Sequence, residues 1–487
     1  MSELETAQLP PESLRRVAID PVSRVEGHGK VTLLLDQDNR VQQARLHIVE
    51  FRGFEHFIQG RPYWEVPVMV QRLCGICPVS HHLAASKALD RVVGADRLTP
   101  TAEKMRRLMH YGQMLQSHAL HFFHLSSPDL LFGFEAEAER RNIVAVAQAH
   151  PDIARKGILL RKFGQEVIRL TAGKRVHGTG SVPGGVNKNL SGAERLALAR
   201  EADQAVAWSE DAVAIIAAMH AGNPALYDRF GHFESPFMCL VDGQGTLDFY
   251  DGGLRGIDAQ GQILFDGHDA QDYNALITES VKPWSYMKFP YWRDRGPEAG
   301  WYRVGPLARV QTCDRMPTPK AQRALEAFKA YHAPGLAFAS LAYHWARMIE
   351  MLCAAETVQA LLQDDDLEGQ DWVVQGERRR EGVGIIEAPR GTLIHHYQVD
   401  ENDLVTMANL IVSTTHNNEA MNRAVRVVAR TYFDGREVTE GLLNHIEVAI
   451  RAYDPCLSCA THALGKMPLV VELHDAQGGL VDRRVRD

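Results

Sequence analysis

The chain is short of cysteine, of long apolar runs and of positive charge, and each shortage closes a class. Seven cysteines in 487 residues are too few for a disulfide framework at this size. The longest strongly apolar helical stretch, Ala212–Met219, is far below the roughly 20 residues that span a bilayer, so no membrane span is expected. Lys+Arg 53 against Asp+Glu 61 gives a formal charge of −8, which argues against nucleic acid or an anionic membrane surface as the main partner. No secretory signal pattern opens the chain. Residues 1–16 are polar and Pro-containing and read as a flexible tail. Nucleotide motifs are missing as well. The Gly-rich segment His177–Gly185 lacks GxGxxG spacing and a preceding strand, and Glu26–Lys30 lacks the Ser/Thr of a P-loop.

What remains is an ordinary globular composition, 45% hydrophobic and 23% charged, long enough to bury a large core without staples. Val31–Leu35 and Val41–Glu50 read as a hairpin across Asp36–Asn39. The pattern from Trp64 to Asp90 is helical, interrupted at Gly75 and Pro78. Thr99-Pro100 opens a helix that can run to about Leu125. Ser191–Glu194 is a capping-box pattern before an Ala-rich run to His220. Phe237–Val241 and Gly245–Phe265 read as a β insertion, and helices are expected at 317–331, 335–362, 417–431 and 437–452. The stretch 363–381 reads as a solvated loop, and Pro468–Val485 as two strands around Asp475–Gly479.

Four of the seven cysteines form two CxxC pairs, Cys74/Cys77 and Cys456/Cys459. Cys239, Cys313 and Cys353 are isolated and read as buried inert thiols. Two pairs make a four-thiolate site that suits zinc, nickel or an iron–sulfur cluster. Zinc ribbons usually keep their pairs about 15–20 residues apart, whereas here most of the chain separates them. The site would therefore tie the first and last parts of one fold together. Each pair is followed by a histidine, His81 or His462, and preceded by a charged residue, Arg72 or Asp454. A closed structural zinc site needs none of these, whereas a reactive site needs donors to tune the sulfurs and a route for protons.

The pairing of RxCGxCxxxH near the start with DPCxxCxxH near the end resembles the large subunits of nickel–iron hydrogenases. The likeness includes Arg24–His28, Phe51–Glu55, Pro183–Gly185 and Glu387–Gly391. Trp284–Pro290 and His395–Tyr397 are most similar to cytoplasmic, NAD-reducing (bidirectional) members. The resemblance implies a mainly α (α+β) fold, with a central bundle of long helices and small β-sheets at the N-terminus and in the insertion at about 237–265. It implies one integrated domain over 17–462 and a C-terminal extension, 463–487, cleaved at His462–Ala463 during maturation.

It also implies roles. All four cysteines would bind nickel, with Cys77 and Cys459 bridging to an iron that carries CO and two cyanides. His81 would donate to Cys77. Arg390, held by Asp454 and flanked by Pro389, would hang over the open position, and Thr414 would hydrogen-bond a cyanide. Cys456 and Glu26 would accept the proton from heterolytic cleavage of dihydrogen. Glu55, His462 and the carbonyl of Leu410 would bind magnesium. Where periplasmic members carry HDH on the long helix, this chain has Gln116-Ser117-His118. His118, His121 and His124 read as packed core histidines.

This chain has no further cysteine set for a cluster and no dinucleotide motif. The electrons would therefore leave through an iron–sulfur small subunit and flavin/iron–sulfur diaphorase subunits that reduce NAD, and the resemblance further implies a maturation endopeptidase and nickel-insertion factors as partners. His177 and Pro183–Gly185 are expected to face the small subunit. The compartment implied is cytoplasmic. A deazaflavin or ferredoxin acceptor is an alternative at the same site, and a zinc-clamped structural subunit is the alternative of another class.

Overall fold

The computed structural model describes residues 14–461, 469–474 and 479–486. Three antiparallel sheets and a helical bundle dominate. β1 (Arg15–Ile19), β2 (Gly29–Leu35) and β3 (Val41–Ile48) form the first sheet, with the expected hairpin turn closed by Asp36. β1 begins inside the segment read as tail, because its β-branched run pairs along the edge of β2. The insertion at 237–265 supplies β4 (Phe237–Val241), β5 (Gly253–Ile257) and β6 (Ile263–His268). A third sheet, β7 (Glu381–Ala388), β8 (Gly391–Val399) and β9 (Val405–Ile411), has no counterpart in the sequence reading. β7 and β8 are buried on both faces, so they lack the alternation that marks a half-exposed strand.

The helices that matter here are α1 (Pro78–Val92), α2 (Pro100–Leu120), α3 (Pro151–Ala172), α4 (Gly192–Gly222), α5 (Pro306–Thr312), α6 (Pro319–His332), α7 (Ala342–Leu361), α8 (Asn418–Phe433) and α9 (Glu440–Ala452). Thr99 caps α2 with Pro100 at its first position, and Ser191 and Glu194 form a complete capping box on α4, both from local signals. α2, α3, α4 and α7 pack as a bundle. Gly112 on α2 and Gly164 on α3 let those two helices touch backbone to backbone: a Cβ on Gly164 would lie 2.7 Å from the Gly112 carbonyl oxygen. α7 starts at Ala342 rather than at 335, since the preceding segment is extended and stacks Phe338 on Phe237. Beyond Leu120 the α2 rod continues through a π-helical turn, His121–Ser126.

α1 lies across β7 and β8 and brings the first CxxC loop beside the third sheet. The loop at 363–381 is not merely solvated. Its Trp372 carbonyl accepts from Val186 and the Gly184–Gly185 pair packs on it. β10 (Leu469–His474) and β11 (Leu480–Arg486) form the expected C-terminal hairpin. Among the described residues no helix is long and apolar enough to cross a membrane.

Candidate metal centre

The two CxxC pairs converge. The sulfurs of Cys74, Cys77, Cys456 and Cys459 all lie within 4.8 Å of one another, and all four residues are buried. Cys74 Sγ is 3.2 Å from Cys456 Sγ and accepts from the Ile76 and Cys77 amides at 3.2 Å each. Cys77 occupies the N-cap position of α1, where the helix dipole favours a thiolate. Hydrogen bonds from Cys456, Cys459 and Cys74 hold the Cys77 thiol well below its usual range. Burial pushes Cys456 and Cys459 up. Four thiolates in one buried cage repel one another, so their joint ionisation calls for a cation at the centre. Cys239, Cys313 and Cys353 are buried elsewhere, each with its thiol pushed up by burial, as inert thiols should be.

A small pocket opens beside the cage. Cys77, Ser80, His81, Ala388, Pro389, Arg390, Leu393, Val412, Ser413, Thr414 and Cys456 line it. Pro389 and Arg390 form the tight turn between β7 and β8, whose register pairs Ala388 with Gly391. Arg390 donates from Nε to the Asp454 carbonyl at 2.6 Å and from Nη2 to Asp454 Oδ1 at 3.0 Å. Its Nη1 and the Ser80 hydroxyl are buried without a partner. Burial opposes the charge on Arg390, but Asp454 and the thiolates of Cys456, Cys77 and Cys74 hold it firmly protonated. Burial raises the Asp454 carboxyl, against Arg390 and Arg347. Thr414 Oγ1 accepts from the Cys456 amide at 2.9 Å.

Orphan donors in an otherwise apolar pocket are costly unless an acceptor enters. A sulfur cage bordered by such donors fits a metal centre with a small acceptor beside it, and it exceeds what a closed zinc clamp requires.

The other predicted residues fall into place unevenly. Glu26 comes to the cage through a parallel bridge to Cys456. Its Oε2 is 2.9 Å from Cys456 Sγ and accepts from the Ser458 amide at 3.2 Å, and the Ser458 hydroxyl donates to Oε1. His81 hydrogen-bonds Cys77, and its Nδ1 is 3.2 Å from His395 Nε2. His395 Nδ1 is in turn 2.6 Å from the Tyr397 hydroxyl. His177 accepts from Arg72 and reaches the Cys74 carbonyl at 3.0 Å.

Glu55 accepts the Leu410 amide N–H at 2.9 Å. The contact expected from Leu410 was its carbonyl. Lys288 lies 3.9 Å from Glu55 and 2.9 Å from Glu279, so among the described residues an ammonium stands between Glu55 and a second carboxylate. That is a poor start for a magnesium shell, and the fit there is incomplete. His462 and Ala463 lie outside the described residues.

At the departure from HDH, Gln116 Nε2 donates to the Ile76 carbonyl at 2.7 Å, beside Gln113 at 2.9 Å. Ser117 is buried with no partner for its hydroxyl. His118 bonds Glu350 at 3.0 Å and His121 bonds the Arg451 carbonyl at 2.7 Å, both as core histidines. Sequence reasoning missed Ser458, although it stands inside the second CxxC. It also missed Arg309 on α5, which holds the canopy from behind. Arg309 donates to Glu350 at 2.6 Å, to Glu387 at 2.7 Å and to the Ala388 and Pro389 carbonyls.

Comparison with known proteins agrees with this geometry. A family model described as nickel-dependent hydrogenase matches residues 52–154 and 243–462, and one described as HoxL-like matches 16–51. The chain is 50% identical over 489 residues to the NAD-reducing hydrogenase HoxS subunit beta of Cupriavidus necator, covering 97% of this chain and 100% of that one. It superposes on the crystal structure of an NAD+-reducing [NiFe]-hydrogenase in its hydrogen-reduced state with a TM-score of 0.91 and 59% identity, over 92% of this chain and 99% of that one. A reduced Ni-Fe-Se hydrogenase from Desulfomicrobium baculatum shares the fold at 22% identity and a TM-score of 0.75, over 92% of this chain and 100% of that chain. The chain belongs to the nickel-dependent hydrogenase family and has the fold of a nickel–iron hydrogenase large subunit.

Proposed function

We propose that this chain is the catalytic subunit of an NAD-reducing hydrogenase and that Cys74, Cys77, Cys456 and Cys459 would hold its nickel–iron centre. The observation that carries this is the convergence of the four buried sulfurs beside a pocket with unpartnered Arg390 and Ser80 donors. The bound centre supplies the Lewis acidity and redox capacity for heterolytic cleavage of dihydrogen. The protein's own part is proton handling and orientation. Cys456 Sγ takes the proton and passes it to Glu26 Oε2, 2.9 Å away. Glu26 is half-buried, so it stands between the cage and solvent, and Ser458 fixes its rotamer. Arg390, anchored at two points on Asp454, points its free Nη1 at the small molecule or diatomic ligand in the pocket. Pro389 closes the canopy, Thr414 adds a hydroxyl, and His81 tunes the Cys77 sulfur.

The electrons leave through partner subunits: an iron–sulfur small subunit first, then flavin and iron–sulfur subunits that reduce NAD. The relatives' names and titles support the NAD-linked acceptor. Cleavage after His462, service by an endopeptidase and nickel-insertion factors and a cytoplasmic location complete the reading. Metal analysis and infrared spectroscopy of the native complex test it. One nickel per chain, iron in excess of it from the partners' clusters, and CO and cyanide bands are expected. Absence of both nickel and the bands would overturn it.

A further inference from the structure

A second group of metal-ligating side chains lies away from the cage, at the far ends of two helices. His220 is in the last turn of α4, and Asp228 follows the short helical turn Pro224–Tyr227. His332 ends α6. One ligand atom from each lies within 4.8 Å of the other two. His220 is fully buried. Both of its ring nitrogens, Asp228 Oδ1 and His332 Nε2 are buried atoms without a hydrogen-bond partner.

Three polar groups left unsatisfied together need a cause, since each costs about 1–3 kcal/mol when buried. The rings of Tyr227, Trp345 and Phe328 wall the cluster at centroid distances of 4.7 Å and 5.1 Å from His220 and 4.6 Å from His332, and the polar groups that face His220 are Asp228 and the Leu341 backbone.

The spacing supplies the cause. His220 Nδ1 and Asp228 Oδ1 are 3.5 Å apart, long for a hydrogen bond. That is close to the edge of a tetrahedron around a metal with bonds of about 2.1 Å, roughly 3.4 Å. The two imidazole planes are perpendicular, with centroids 6.2 Å apart, while one nitrogen of each lies within 4.8 Å of the other and of the carboxylate. Tyr331 donates to the other carboxylate oxygen, Asp228 Oδ2, at 3.0 Å, leaving Oδ1 to face the histidines. A hydrogen bond of that kind orients a ligating carboxylate. Burial and the neighbouring His332 push His220 down to about 4, and burial lowers His332, so both rings are neutral at neutral pH, as metal ligands must be. The Asp228 side chain is 33% exposed, which leaves a way in from solvent.

We propose that His220, Asp228 and His332 form a zinc-binding site that clips the end of α4 to the end of α6. Two imidazoles and one carboxylate with an open fourth position make the donor set of a zinc site. The site does not depend on the assignment of the cage. The test uses the native complex equilibrated with buffered zinc, and Asp228→Asn and His332→Gln as variants, which keep size and polarity. Element analysis and anomalous scattering at the zinc edge should find one zinc per chain at these residues. In both variants that zinc should fall at least tenfold while nickel and iron stay unchanged. The unfolding midpoint of the parent, but not of the variants, should drop on chelation. Zinc at the variants' level in the parent, or equal zinc in parent and variants, would overturn the site without touching the nickel–iron reading, which loss of nickel alone decides.

Discussion

Glu26 reaches the cage from the opposite end of the chain, held there by its backbone bridge to Cys456, by Cys456 Sγ and by its contacts with Ser458. The carboxylate is the group that can carry a proton away, and the serine can only aim it. Glu26→Gln should therefore lower hydrogen turnover by about 10²–10⁴-fold, the usual worth of a positioned acid–base group, with nickel and iron content unchanged. Ser458→Ala should cost less, up to about tenfold, because one hydrogen bond is lost while the group that moves the proton stays. Turnover measured beside metal content separates the two: equal losses, or loss of metal in Glu26→Gln, would mean that Glu26 is structural. Arg390 makes a different demand. Its fork uses Nε and Nη2 on Asp454 and leaves Nη1 for the pocket, a division of labour that an ammonium cannot copy. Arg390→Lys should lose about 10²–10³-fold in kcat and leave Asp454, whose carboxyl burial already raises, short of its partner. Activity within twofold of the parent would remove Arg390 from the mechanism.

Elements place these residues, and only some of that placement is visible in the sequence. The caps on α2 and α4 are legible because the contacts run from i to i+3, and the two CxxC pairs are legible because both sulfurs of a pair are local. The sheet that carries Pro389 and Arg390 is not, since strands buried on both faces give no alternation. Nor is the Arg309 buttress, whose partners Glu350 and Glu387 lie on other elements. The role of Gln116 was equally hidden. Its spacing announces only a change from the HDH pattern, whereas the fold shows it gripping Ile76 inside the first CxxC loop. That grip depends on how closely α3 approaches α2. A Cβ on Gly164 would meet the Gly112 carbonyl at 2.7 Å and Gln116 Cβ at 2.8 Å. Gly164→Val should thus overpack the crossing, cost about 1–3 kcal/mol in stability, and push Gln116 off the loop. The signature to look for is faster nickel loss during gel filtration together with a lower unfolding midpoint. A lower midpoint with full nickel retention would show that the loop does not need this helix.

On the scale of the whole molecule, the fold buries neutral imidazoles in several layers at once. His82 on α1 and His110 and His118 on α2 are fully buried, and burial pushes each down to about 4. His416, just before α8, is pushed by burial to about 3. An unfolded chain would protonate all four near 6.5. Below that value the unfolded state binds more protons than the folded one, so stability falls as pH falls, and it keeps falling until the folded-state values near 4 are reached. Each such histidine is worth up to about 1.4 kcal/mol per pH unit. Four of them approach the whole of a typical domain's stability, about 5–15 kcal/mol, within little more than a unit or two. Acid unfolding is therefore expected to begin near pH 6, well above the carboxylate range, and to steepen toward pH 5. His416→Gln offers the check, since a glutamine can still accept from the Tyr302 hydroxyl that lies 2.7 Å from His416 Nδ1 but cannot be protonated. Its unfolding midpoint followed from pH 7.5 to 5 should fall less steeply than the parent's, by about one proton's worth of slope. Parallel curves, or a parent midpoint that stays flat down to pH 5, would mean that these histidines keep their neutral form in the unfolded chain or gain protons in the folded one.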